Sequence, residues 1–95
     1  MGSLAALGQK LEMSEVMYRA TQGLAVLKLK LSGVSAVSRT DGGWKVIVEL
    51  VERMAVPDSM DLLGVYEVHL DDTGELVGYE RIRIRRRCDL EEIPV

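Results

Sequence analysis

The sequence predicts an α+β domain, with one N-terminal helix packed on one face of an antiparallel meander of four strands, or three. Three observations carry this. Apolar residues before Gly33 recur at helical spacing, those after it alternate with period two, and turn signals at hairpin length separate the alternating segments. The chain has 95 residues, the length of one domain, and 47% hydrophobic against 28% charged residues is the composition of a folded chain. Aromatics make up 4%, with no Phe, so the core is aliphatic.

Residues 1–12, with Gly2 and Gly8, read as a flexible or frayed segment, 13–88 as the single domain and 89–95 as a C-terminal tail. Ser14 with Glu15 suits a helix start. Val16, Ala20, Gly23, Leu24, Leu27 and Leu31 then share one helical face, running toward a stop at Ser32-Gly33. Lys28 and Lys30 suit the negative end of the helix dipole. Leu27–Leu31 also alternates as a strand would, so the helix end stays open between the two.

Val34–Arg39 is a short strand candidate, and Asp41-Gly42-Gly43 is a turn signal. Trp44–Glu52 is the strongest strand, with Trp44, Val46, Val48 and Leu50 on one face. That parity predicts a buried Trp44 on the helix side. Pro57 lacks the donor a ladder needs, so the segment 56–61 breaks the sheet. Val65–Leu70 and Leu76–Arg85 form the last hairpin around Asp71-Asp72-Thr73-Gly74. With Asp72-Thr73-Gly74 as the loop, Leu70 opposes Leu76 and Tyr66 opposes Glu80. The face away from the helix then collects Glu67, His69, Val77, Tyr79, Arg81, Arg83 and Arg85.

Composition and motifs exclude several function classes. No apolar run approaches the length of a membrane span, and MGSLAALGQK lacks the regions of a signal peptide. One cysteine, Cys88, allows no internal disulfide and fits a reducing compartment. A single histidine, His69, removes multi-histidine metal sites. Phosphate-binding loops, dinucleotide fingerprints and nucleophile elbows are absent from the sequence. The expectation is a protein with no catalytic residues, no metal and no cofactor.

Net charge −3 conceals a segregation. Residues 1–80 carry seven basic and twelve acidic groups, net −5, whereas 81–95 carry five basic and three acidic, net +2. The arginines Arg81, Arg83, Arg85, Arg86 and Arg87 admit three readings. One is a solvated face answered by Glu49 and Glu67. The second is a protein interface, where Arg beside Tyr79 and Val77 is the expected chemistry. The third is a nucleic-acid regulator using Arg81–Arg87. Glu49, Glu67, Tyr79, Arg81, Arg83 and Arg85 are the candidate interaction surface. Homodimerisation through edge strands or the open face is a further expectation.

The stretch Gly43–Arg87 also resembles the gas vesicle protein O family. The matching segments are Gly43-Trp44-Lys45-Val46-Ile47-Val48-Glu49-Leu50-Val51-Glu52, then Val56-Pro57-Asp58, then Asp61-Leu62-Leu63-Gly64-Val65-Tyr66-Glu67-Val68-His69-Leu70-Asp71. Gly74-Glu75-Leu76 and Gly78-Tyr79-Glu80-Arg81 follow, and Leu31-Ser32-Gly33 resembles the family's helix end. Ile84 and Arg85 stand where the family tends to have another aromatic. The resemblance implies a non-enzymatic accessory protein of gas vesicle formation in a prokaryotic cytoplasm. It implies as partners other gas vesicle accessory proteins and, further, the gas vesicle shell protein. Membrane association is not expected.

Overall fold

The computed structural model describes residues 12–88. The expectations for 1–11 and for the tail 89–95 fall outside the described residues. Helix α1 spans Met13–Gly23, and strands β1 (Lys30–Thr40), β2 (Gly43–Arg53), β3 (Leu62–Asp71) and β4 (Leu76–Arg86) follow. The strands form one sheet in the order β1-β2-β3-β4, every neighbouring pair antiparallel, as the period-two pattern predicts.

Helix α1 is shorter than its apolar stripe. It stops at Gly23, a poor helix former, and a 3-10 turn at Ala25–Leu27 follows. Lys28 takes a left-handed conformation (φ 57°), and β1 begins at Lys30. The alternation in Leu27–Leu31 therefore marks the approach to a strand, and no lysine caps the helix. β1 accordingly runs well beyond the predicted Val34–Arg39, and two register shifts bend it.

Val16, Ala20 and Leu24, spaced four apart, are buried against Trp44, Val46, Val48, Leu50, Tyr66, Val68 and Leu70. Trp44 is 8% exposed and lies in this helix-side cluster, as its parity predicts. Each fully buried valine of the cluster contributes about 1.5–3 kcal/mol of transfer free energy.

Both hairpins turn at the same end of the sheet. In the β3–β4 turn, Asp71 Oδ1 accepts from Thr73 N–H (2.9 Å), Thr73 Oγ1 (2.7 Å) and Glu75 N–H (2.9 Å). Those donors, the Thr73 side chain foremost, hold the Asp71 carboxyl below its ordinary range. Gly74 supplies the positive φ (91°) the turn requires. At the other end, the β2–β3 connection contains a cis Val56–Pro57 bond and a 3-10 turn at Asp58–Met60. Asp61 fastens it. Its Oδ1 accepts from Ala55 N–H (2.8 Å) and its Oδ2 from Arg87 Nη2 (3.1 Å), while Arg87 N–H donates to the Asp61 carbonyl (2.8 Å).

The β3–β4 register departs from the sequence expectation. Leu70 opposes Leu76 as expected, but Tyr66 opposes Arg81 instead of Glu80. Two bulges on β4 cause this: Val77 is extra between His69 and Leu70, and Ile82 between Val65 and Tyr66. Simple parity counts every residue as one step, so each bulge moves the following residues to the other face.

Candidate interaction surface

The six candidate residues do not share a face. Cross-strand partners lie on one side of a sheet, which assigns each of them. Glu49 opposes Val65, Glu67 opposes Ile47 and Glu80, Arg83 opposes Val65, and Arg85 opposes Leu63, all on the side away from α1. Tyr79 opposes Val68, and Arg81 opposes Tyr66, on the helix side. The bulges at Val77 and Ile82 split the expected set between two surfaces, a correction to the single open face read from parity.

The face away from α1 is a lattice of paired charges over apolar residues. Lys45 Nζ lies 3.5 Å and His69 Nε2 3.4 Å from the Glu67 carboxylate. Arg85 Nη2 lies 2.8 Å from Glu49 Oε1, with both side chains largely covered. The register explains a second fact. Arg85 opposes Leu63 and Glu49 opposes Val65, so their ion pair crosses β3 over those two residues. Leu63 and Val65 are each 1% exposed although no second layer among the described residues covers them. The arginine stem supplies the apolar cover and its guanidinium stays at the rim. Arg87 likewise answers Asp61, and the Ala55 N–H, foremost, with Arg87 holds the Asp61 carboxyl below its ordinary range. Among the described residues Arg83 makes no ion pair.

The helix side carries a polar group that the sequence reading missed. Tyr66 Oη donates to Glu52 Oε2 (2.5 Å), and Arg81 Nη1 lies 3.5 Å from Glu52 Oε1. The Tyr66 and Tyr79 rings sit 6.4 Å apart at 58°, a tilted aromatic pair. Burial, then the bond to the Glu52 carboxylate and its charge, push the Tyr66 phenol up to about 12.

Gly64 makes this geometry possible. A Cβ there would stand 2.1 Å from Glu52 Oε2 and 2.8 Å from Glu52 Cδ. The missing side chain leaves the channel through which Glu52 lies across β3 to reach Tyr66. An isolated Gly inside an apolar strand is the sequence signal for such an approach. Around this group the helix-side surface is uncovered: Tyr79, Ile84 and Leu31 are 38%, 48% and 48% exposed.

No group of three or more His, Cys, Asp or Glu side chains among the described residues is placed to hold a metal ion. No helix among them is long and apolar enough to cross a membrane.

Comparison with known proteins adds family information. The family model described as gas vesicle synthesis protein GvpO matches residues 3–91, a span containing α1 and all four strands. Gas vesicle protein O1 of Halobacterium salinarum is 43% identical over 67 residues, covering 70% of this chain and 56% of the relative. Gas vesicle protein O of Haloferax mediterranei is 44% identical over 68 residues, covering 70% and 49%. Gas vesicle protein O of a Streptomyces species is 49% identical over 55 residues, covering 58% and 43%. The chain thus spans about half the length of the curated relatives it matches. No solved structure matches.

Proposed function

The chain belongs to the gas vesicle synthesis protein GvpO family, and from that premise we propose that it acts in gas vesicle formation as a non-enzymatic protein–protein interaction module of the cytoplasm. Its partners in this reading are other gas vesicle accessory proteins and the shell protein. The observation that carries it is the uncovered helix-side surface of β3 and β4, where Tyr79 and Arg81 flank Glu52 and Tyr66 beside Ile84. A helix about 10 Å wide covers roughly half of four strands spaced about 4.8 Å apart, so a single α1 leaves a strip of sheet for a partner. An aromatic ring and an arginine beside apolar side chains are the composition of a contact surface.

The pairing of Arg81, Arg85 and Arg87 with Glu52, Glu49 and Asp61 weighs against the nucleic-acid reading. Phosphates approaching any of those arginines would meet the carboxylate already paired with it.

Pull-down against the other gas vesicle accessory proteins and the shell protein tests the proposal, with each face changed separately. Tyr79→Ala/Arg81→Glu is expected to abolish capture and Glu67→Gln/Arg83→Ala to preserve it. Capture that survives the helix-side pair would refute this surface. DNA binding whose logarithm falls by about 0.7–0.9 per phosphate contact with log salt would favour the regulator instead.

A further inference from the structure

We propose that the protein forms a two-fold dimer by antiparallel association of β4 with β4 of a second copy. Exposed apolar side chains concentrate on this strand: Leu76, Val77, Tyr79, Ile82 and Ile84 are 38–69% exposed. The other sheet edge differs. β1 exposes one large apolar side chain, Leu31, among Lys30, Ser35, Ala36, Ser38, Arg39 and Thr40, while Val34 and Val37 turn into the core. An exposed edge rich in apolar residues is the one that recruits another chain.

Charge selects the occupant and its direction. β4 and the residue before it are acidic in the first half, Glu75 and Glu80, and basic in the second, Arg81, Arg83, Arg85 and Arg86. Antiparallel pairing of two copies sets each acidic half beside a basic half, and parallel pairing sets like beside like. Glu80 stands directly opposite Glu67, and Lys45 and His69 are placed on Glu67. Among the described residues neither Glu80 nor Arg83 makes an ion pair. Both lie on the face away from α1, one on each side of the Ile82 bulge.

A dyad between Arg81 and Ile82 satisfies all of these at once. It sets Glu80 against Arg83 of the second copy, twice, on the face away from α1. It sets Tyr79 against Ile84, twice, on the helix side. The bulge is what keeps these partners on matching faces, because it shifts Arg83 and Ile84 by one step relative to Glu80 and Tyr79. The two bulges also interrupt the backbone ladder, so side-chain complementarity sets the register. The interface is isologous and closes at two copies.

Sedimentation equilibrium of the purified chain tests this independently of any gas vesicle partner, so its failure is distinct from failure of the functional reading. The wild type is expected to dimerise at micromolar concentration. Glu80→Arg and Arg83→Glu are each expected to weaken dimerisation at least about tenfold, because like charges then meet across the dyad. An equimolar mixture of the two single variants is expected to recover a dimer containing one copy of each. Glu80→Arg also removes a like-charge neighbour of Glu67, so at concentrations low enough for the wild type to be monomeric as well its thermal midpoint should equal or exceed that of the wild type, which separates loss of interface from loss of fold. A wild type that stays monomeric, single variants that dimerise normally, or a mixture that stays monomeric would each overturn the proposal.

Discussion

Glu52, Tyr66 and Gly64 act as one unit in which the glycine makes room, the carboxylate crosses and the phenol donates. Tyr66→Phe and Gly64→Ala should each cost about 1 kcal/mol by urea unfolding, and the double variant little more than either, since both remove the same bond. The phenol also predicts a pH dependence. Its folded-state value of about 12 lies above the ordinary 10.0, so folding favours the neutral form. That contribution is complete below pH 10 and vanishes as the pH rises through 12. Tyr66→Phe should flatten the loss of stability across this interval, measured by unfolding in a series of alkaline buffers. Asp61 has the opposite sign. Its carboxyl is held below its ordinary value of 3.8, so its contribution is present above 3.8 and fades as the pH falls through the lower folded value. Asp61→Asn should reduce acid sensitivity in that range and speed hydrogen exchange at the Ala55 N–H.

At the scale of the element, β4 separates what the sequence makes legible from what it hides. The strand itself, its turn and its pairing with β3 follow from alternation and from the Asp71–Gly74 turn chemistry, both local signals. The bulges at Val77 and Ile82 depend on how a twisted sheet seats its edge, which no spacing within β4 records. Arg81 and Arg83 thus share a parity and lie on opposite faces, and counting by parity holds for four of the six candidates and misplaces Tyr79 and Arg81. Helix α1 repeats the lesson. Its stripe continues past Gly23 because Leu27 packs on the same core from outside the helix, whereas Leu31, the last residue of the stripe, lies on β1 and is exposed. The Arg85–Glu49 pair gives β3 a second covered face, so Leu63→Ala should cost about 2–4 kcal/mol in chemical unfolding, the range of an interior leucine. A near-neutral result would show that the ion pair covers nothing of consequence.

Across the whole molecule, which measures 49 × 31 × 19 Å, one sheet serves two surfaces of different character. The face away from α1 is closed by its own charges, and the helix side is half open. In cells that make gas vesicles, replacing the native protein with Tyr79→Ala/Arg81→Glu should abolish vesicle formation, scored by buoyancy and by electron microscopy. Vesicles of normal number would count against the helix-side surface. Trp44 gives these experiments an internal control. It is the chain's sole tryptophan, on β2 among the residues packed by α1, with the Arg39 guanidinium 4.6 Å from its ring centroid and its indole N–H buried without a hydrogen-bond partner among the described residues. An indole in that setting emits at short wavelength and shifts to the red when water reaches it. Its fluorescence therefore reports on the core between the helix and the sheet, so a change at Glu80, Arg83 or Arg81 that alters association while leaving the emission maximum unmoved has acted on the surface and spared the fold.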